Sequence, residues 1–402
     1  MTRDVLRVLA DARPRELDPE ARVDETTRSA ELARAMTVPP RSAGRSAEPA
    51  VRRRVRPMWG LGLVGAAAAA ALVVATTATG PGDPGKPGPK AGGAPSAETE
   101  APVTMNAQTV LLSAAAGADR EAFASGAYWH VARTSRGHLQ VGKGANRYLI
   151  VTTERDEAWT PAKPGGKAWG RQQRLGAKPL TAKDDAAWRR AGSPARFNVE
   201  IPVSPKGGML KPMPVDVAPG RPHTSSSKLV NGDKVFWLGR NVTMKDLQGL
   251  PADPKRLKAS LLRWYDGHST ESLSEPMKAD DWLWQVTKGL ITDMPVTPKV
   301  RAGAFRMLAQ LKTIKAVGPV RDGAGRIGTA LILTERTPSN GTLEHRLIID
   351  EKRGRALGYD IVIVKPAGVN ANLPAGALLS GSTIDEAGWT DTAPTKADTQ
   401  RG

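Results

Sequence analysis

The sequence predicts an α+β domain set behind a single transmembrane helix, and three observations predict it. An uncharged apolar run spans Met58–Thr79. A stretch dominated by Pro and Gly follows at 80–104. Beyond it, one helical segment gives way to stretches of period two, with further helices between them and a series of hairpin turns near the end. Antiparallel strands in runs, interrupted by a few helices, indicate α+β.

The apolar run is 22 residues long. At 1.5 Å per residue it reaches about 33 Å, enough to cross a hydrocarbon core of roughly 30 Å. Arg52, Arg53, Arg54 and Arg56 stand just before it, whereas Gly80, Pro81, Gly82 and the acid Asp83 follow it. Positive charge is retained on the cytoplasmic side, so the N-terminus is expected inside and the C-terminus outside. Trp59 suits the headgroup interface. A buried alanine-rich helix explains the length and the one-sided Arg cluster less well. A cleaved signal peptide would not carry so long a segment ahead of its apolar core.

Residues 1–57 hold 13 Arg and 9 acidic residues, with short amphipathic segments over Asp4–Ala12 and Pro19–Met36. Two short helices bury little, so this cytoplasmic tail is expected to be mostly disordered. Residues 80–104 read as an extended linker. The extracytoplasmic domain is placed at 105–390, with a disordered polar tail at 391–402.

Within the domain, Met105–Phe123 reads as a helix, and Ala127–Thr134 and Arg147–Thr153 as strands, with Gly137, Gly142 and Gly144 marking a turn. A strand, a turn, a second strand and a helix at Asp184–Ala191 follow. Residues 203–228 read as irregular and Lys234–Leu238 as a short strand. Asp253 is the expected N-cap of a helix through Tyr265, with Pro254 at its first position. Helices follow at Asp280–Ile291 and Pro298–Leu311. Four strands, Thr313–Val320, Ile327–Glu335, Thr342–Asp350 and Ala356–Val364, then close the chain, joined by turns at Asp322–Gly325, Ser339–Gly341 and Lys352–Gly354.

None of the short chemical motifs stands in the context its chemistry needs. Gly323, Gly325 and Gly328 match a dinucleotide fingerprint, which must lie between a strand and a helix. Here strands are expected on both sides, so the run reads as a hairpin turn. Gly137–Lys143 resembles a phosphate loop, but Gly144 replaces the Ser or Thr that would bind magnesium. Ser225 and Lys228 have a Ser-x-x-Lys spacing without the companion motifs of penicillin-binding enzymes. No cysteine is present, and the five histidines, His130, His138, His223, His268 and His345, show no metal-ligand spacing. No metal or cofactor is expected. Asp184-Asp185 and Asp280-Asp281 read as helix starts.

The net charge of +18 invites a nucleic-acid reading. Most of it lies beyond the apolar run and is spread, so no nucleic-acid partner is expected. Nine of the ten tryptophans also lie there, serving core packing or an apolar groove.

The opening Val5–Pro14 and Leu17–Pro19 resemble an uncharacterised actinobacterial family of single-pass membrane proteins often encoded beside extracytoplasmic-function sigma factors. Tyr128-Trp129, Glu157–Trp159, Ala187–Pro194, Leu250–Pro254 and Leu347–Asp350 extend the resemblance over nearly the whole chain. More loosely, the domain is similar to lipoprotein carriers of the LolA and RseB type. That likeness implies a half-open antiparallel barrel with helices across its concave side. It also implies a signalling role, with an amphiphilic ligand or an envelope protein outside and a sigma factor inside. The tail departs from zinc anti-sigma domains, which use one His and two Cys. The resemblance carries no catalytic residues. In such a fold Trp264, Trp282, Leu283 and Phe305 become candidates for the groove lining.

The reading is therefore a membrane-anchored envelope protein that binds or senses, and not an enzyme. A hydrolase using two carboxylates and a passive structural anchor are the alternatives. The topology has a direct test. A reporter active only outside the cell should work when fused after Leu139 and fail when fused at residue 40; the reverse pattern would overturn the orientation.

Overall fold

The computed structural model describes residues 101–199, 213–270 and 276–395. The tail 1–57, the apolar run 58–79 with Arg52, Arg53, Arg54, Arg56 and Trp59, and nearly all of the linker lie outside the described residues. Among the described residues, no helix is long and apolar enough to cross a membrane.

The first half of the domain runs through β1 (Val103–Met105), α1 (Ala107–Asp119), β2 (Tyr128–Val141), β3 (Tyr148–Pro161), β4 (Lys167–Pro179), α2 (Ala182–Arg190), β5 (Arg196–Val199), β6 (Met213–Asp216), β7 (His223–Lys228), β8 (Lys234–Trp237) and β9 (Arg240–Thr243). Three longer helices follow the short α3 (Met244–Gln248): α4 (Pro254–Leu262), α5 (Ala279–Thr292) and α6 (Pro298–Leu308). The chain then returns to strands: β10 (Lys315–Arg321), β11 (Ile327–Thr337), β12 (Gly341–Asp350), β13 (Arg355–Pro366) and β14 (Ala377–Thr390).

The main sheet has ten strands in the order β1-β10-β11-β12-β13-β14-β2-β3-β4-β7. Every neighbouring pair is antiparallel. The two ends of the order differ, so the sheet is open. An antiparallel sheet carrying a helical layer is the α+β class that the switching periodicity predicts.

Helix ends follow from local chemistry. Asn106, Thr181, Asp253 and Thr297 each turn a side-chain oxygen onto an amide of the first turn of α1, α2, α4 and α6. Those amides have no partner inside the helix, so a short polar side chain in extended backbone is the residue that satisfies them. Pro254 and Pro298 take the first helical position, where the missing N–H costs nothing.

The helices bury one face of the sheet. Leu257, Leu261, Trp282, Leu283, Trp284, Leu290, Phe305 and Leu308 form one core with Leu331, Leu333, Leu347 and Ile349. Alternation along β11 and β12 sends Ala330, Ile332 and Ile348 to the other face, where they form a smaller cluster. A third cluster gathers Leu139, Tyr148, Ile150, Phe197 and Val199 beneath α2.

Several elements differ from the sequence reading. β14 is a fifth closing strand, and it joins the meander β10–β13 to the meander β2–β4. It escapes hydropathy because it carries Ser380, Ser382, Thr383, Asp385 and Glu386 among its apolar residues and two glycines, Gly381 and Gly388. Residues 213–216 and 223–228 are strands and not irregular; each completes a pair whose partner lies elsewhere in the chain, β5 and β4. Gly137 lies inside β2, and the turn begins only at Gly142. Met105 ends β1, so the first helix starts later than its apolar spacing suggests.

Candidate functional site

The ladder between β13 and β14 runs from Ile363–Ala377 to Gly358–Thr383 and stops there. Beyond that point β13 stays paired with β12, and β14 stays paired with β2 as far as Thr390–Tyr128. The two strands therefore part inside the sheet. Each carries an extra residue at the parting. Ile348 faces Gly358 and Ile349 faces Ala356, which leaves Leu357 unmatched on β13. Ile384 faces Arg133 and Glu386 faces Ala132, which leaves Asp385 unmatched on β14. A bulge bends its strand and increases the local twist. Two of them, on facing strands, turn the pair apart. At the last matched pair the strands are so close that a Cβ on Gly358 would lie 2.4 Å from the Ser382 carbonyl oxygen.

Arg326 sits at the apex of the split. Its Nη2 donates to the Leu357 carbonyl at 2.8 Å and to the Ile384 carbonyl at 2.9 Å, one on each departing strand. The guanidinium also pairs with the buried Asp322 carboxylate, Nε to Oδ2 at 2.7 Å. Asp322 in turn accepts from the amides of Ala324 and Arg326. The turn between β10 and β11 thus carries the side chain that fills the gap in the ladder. Gly323 and Gly325 allow this turn. Gly325 has φ +81°, and a Cβ on Gly323 would meet the Arg136 guanidinium at 2.1 Å. The dinucleotide-like run is a hairpin turn with strands on both sides.

The split opens a cleft of about 670 Å³, bounded by Arg355–Leu357 on one strand and Ile384–Trp389 on the other. Sites that take small ligands fall in the same range, roughly 300–1,000 Å³. Trp129, Ile291, Met294, Val296 and Trp389 give it an apolar wall. Trp129 is fixed by an edge-on contact with Trp389, centroids 5.5 Å apart, and by donating from Nε1 to the Asp293 carbonyl at 2.8 Å. Asp293 also accepts from Arg133 at 2.6 Å, which pins the end of α5 to β2.

The opposite wall comes from α1 and the β12–β13 hairpin. Gly117 and Gly354 meet there. A Cβ on Gly117 would lie 2.6 Å from the Gly354 amide nitrogen, and one on Gly354 would lie 2.2 Å from the Ala114 carbonyl oxygen. Only glycine permits backbones to approach so closely. Around this contact the rim is basic. Glu121 is shared by Arg301 and by Arg355. Arg301 also donates to the Gly354 carbonyl, and Arg120 to that of Lys352. Among the described residues neither Arg120 nor Lys352 has a carboxylate partner. Acids line the cleft as well: Asp350 pairs with Arg353 at 3.7 Å, Asp385 accepts from Thr134 at 2.8 Å and lies 3.5 Å from Arg155, and Glu386 lies 3.5 Å from His130.

Other polar clusters lie away from the cleft. Glu154 and Asp156 stand two residues apart on one face of β3. Burial raises the pKa of Glu154, and the charge of Asp156 adds to it. Burial also raises the pKa of Asp156, against the opposing effects of Arg133 and Gln172. A carboxyl whose folded pKa is raised costs stability as pH climbs from its unfolded value through its folded one. His345 pairs with Glu335 at 2.6 Å, and His130 stacks on Trp159 with centroids 4.5 Å apart. Among the described residues no cluster of His, Asp or Glu has a metal-binding arrangement. Ser225 and Lys228 lie in the strand β7.

The groove candidates drawn from the helices do not line the cleft. Trp282, Leu283 and Phe305 are buried in the main core, where helix-to-sheet packing consumes the apolar face that was expected to bound a groove. Trp264 is 49% exposed and carries the Arg240 guanidinium over its ring at 3.9 Å. The residues that do form the cleft, Arg326, Trp129, Trp389 and Gly388, come from a hairpin turn and from strand ends. Bulges have no sequence signature, so the split was hidden. The pairing of a Trp with Gly near the end of the domain, Gly388-Trp389, was the one local sign.

No family model matches the chain, and no curated protein matches it. One solved structure, the Pseudomonas aeruginosa MucA/MucB complex, aligns at 14% identity over 74% of this chain and 62% of that one, with a TM-score of 0.22. A likeness of this size leaves the fold to be described from the chain's own strands.

Replacing Arg326 with Ala strands two strand carbonyls and the buried Asp322 carboxylate. We expect a loss of about 2–4 kcal/mol in urea unfolding, the range for an unpaired buried polar group and a broken ion pair. Stability within a few tenths of a kcal/mol of the parent would show that Arg326 does not hold the split.

Proposed function

We propose that this chain is a membrane-anchored binding or sensing protein of the cell envelope. In this reading the apolar run 58–79 spans the membrane, residues 1–57 are cytoplasmic, and the described domain is extracytoplasmic on a half-barrel plan of the LolA and RseB kind. Its ligand occupies the cleft between β13 and β14. The chain acts by binding and is not an enzyme. The sigma-factor connection is the signalling output of the same reading and rests on the resemblance of the tail alone.

The observation that supports binding is the split itself. A sheet that parts between two bulges, with an arginine at the apex and two tryptophans on the wall, keeps a sizeable cleft beside the packed core of helices and sheet. Such a cleft combines apolar surface with a few convergent polar groups, as ligand sites do. Each methylene buried on its wall is worth about 0.8 kcal/mol.

An anionic naphthalene dye tests this. Titration should show saturable binding accompanied by a change in the emission of the wall tryptophans. Gly388 offers the matching variant, because a Cβ there meets nothing within 4 Å. Gly388→Leu should fill the cleft without disturbing the fold and weaken the dye by about fivefold or more, the value of roughly one to two buried methylenes. Absence of saturable binding, or identical binding in Gly388→Leu, would refute the cleft as the site.

A further inference from the structure

We infer that the split takes an extended, acidic peptide segment of a partner protein, added as a strand between β14 and β13. The inference rests on the reading of the cleft as the binding site and goes on to name its occupant. It begins from the backbone. From Glu386 to Thr390, β14 is laddered to β2 alone, and Arg355 and Ala356 of β13 are laddered to β12 alone. Their facing edges present peptide groups to the cleft. Proteins usually cover, shorten or charge such edges. Here the edges lie inside a sheet and border an open cavity. An incoming strand satisfies them with main-chain hydrogen bonds, which give affinity, while alternate side chains give specificity.

Dimensions and charge fit this occupant. The β14 edge from Asp385 to Thr390 spans about 20 Å at 3.3 Å per residue, long enough for a segment of about six residues. The rim of the cleft then selects its side chains. Arg120 and Lys352 lack carboxylate partners among the described residues, and the single carboxylate of Glu121 serves two guanidiniums. Phe123, 63% exposed, stands at the same rim, and Trp389 lines the wall. A strand that alternates acidic and apolar residues meets both at period two.

The test uses the full-length protein in nanodiscs of neutral phosphatidylcholine. The probes are seven-residue acetylated, amidated peptides alternating glutamate with valine, leucine or phenylalanine, each carrying a fluorophore for anisotropy. Their controls are the same peptides with alternate backbone amides N-methylated, the same peptides with lysine for glutamate, and dodecanoate. At least one acidic peptide should bind saturably. N-methylation and the lysine exchange should each weaken it by about tenfold or more, because one removes strand pairing and the other the charge match. Gly388→Leu should do the same, and Lys352→Glu should weaken it by about threefold. An N-methylated peptide that binds as well as its parent overturns the inference, as does binding unaffected by the lysine exchange. If dodecanoate binds and Gly388→Leu abolishes it while no peptide binds, the inference falls and the cleft reading stands. If neither class binds, both fall. Should Gly388→Leu not fold, the N-methyl comparison on the parent protein still decides.

Discussion

The β13–β14 ladder ends where both strands gain an extra residue, and the rest of the site depends on that mismatch. A sheet of ten strands accumulates twist at every pairing. Leu357 and Asp385 add local bends that pull the two central strands apart. The carbonyls left at the apex must still be satisfied, since an orphaned buried acceptor costs more than a hydrogen bond gains. Arg326 meets that requirement for both strands with a single guanidinium. Asp322 fixes its position and balances its charge. The cleft is therefore a consequence of register, held open by one ion pair from a hairpin turn.

The helical layer acts on the same split from one side. α1 approaches the β12–β13 hairpin through the Gly117–Gly354 contact, so one departing strand is tied to the helices. The end of α5 is tied to the other half of the sheet through Asp293, which accepts from both Trp129 and Arg133. Each side of the cleft is thus anchored to a different helix. Core packing stabilises those anchors, because α1, α5 and α6 share one apolar cluster with the sheet. A ligand that moved the walls would work against this packing, which gives a physical route from occupancy to a change in the helices.

How much of this was legible in the sequence depends on the kind of signal. Helix starts were legible where a short polar side chain precedes a proline, as at Asp253-Pro254. The closing hairpins were legible from Gly325, Gly341 and Gly354, because positive φ restricts the residue type. The polar strand β14 was not, since its neighbours on both sides decide its burial and no stretch of it alternates cleanly. The site was not legible for the same reason. Trp282, Leu283 and Phe305 were correctly read as the apolar faces of helices, yet periodicity cannot say whether a face packs or lines a cavity. Trp129 and Trp389 come together only through a register that spans most of the domain.

Residue-resolved amide hydrogen exchange tests the split most directly. From Gly381 to Thr383, β14 has a strand on each side, and its amides should all exchange slowly. From Asp385 to Trp389 only the amides directed at β2 are bonded, so slow and fast exchange should alternate. Uniformly slow exchange from Asp385 to Trp389 would mean that the ladder continues through this region and that no cleft exists between the strands.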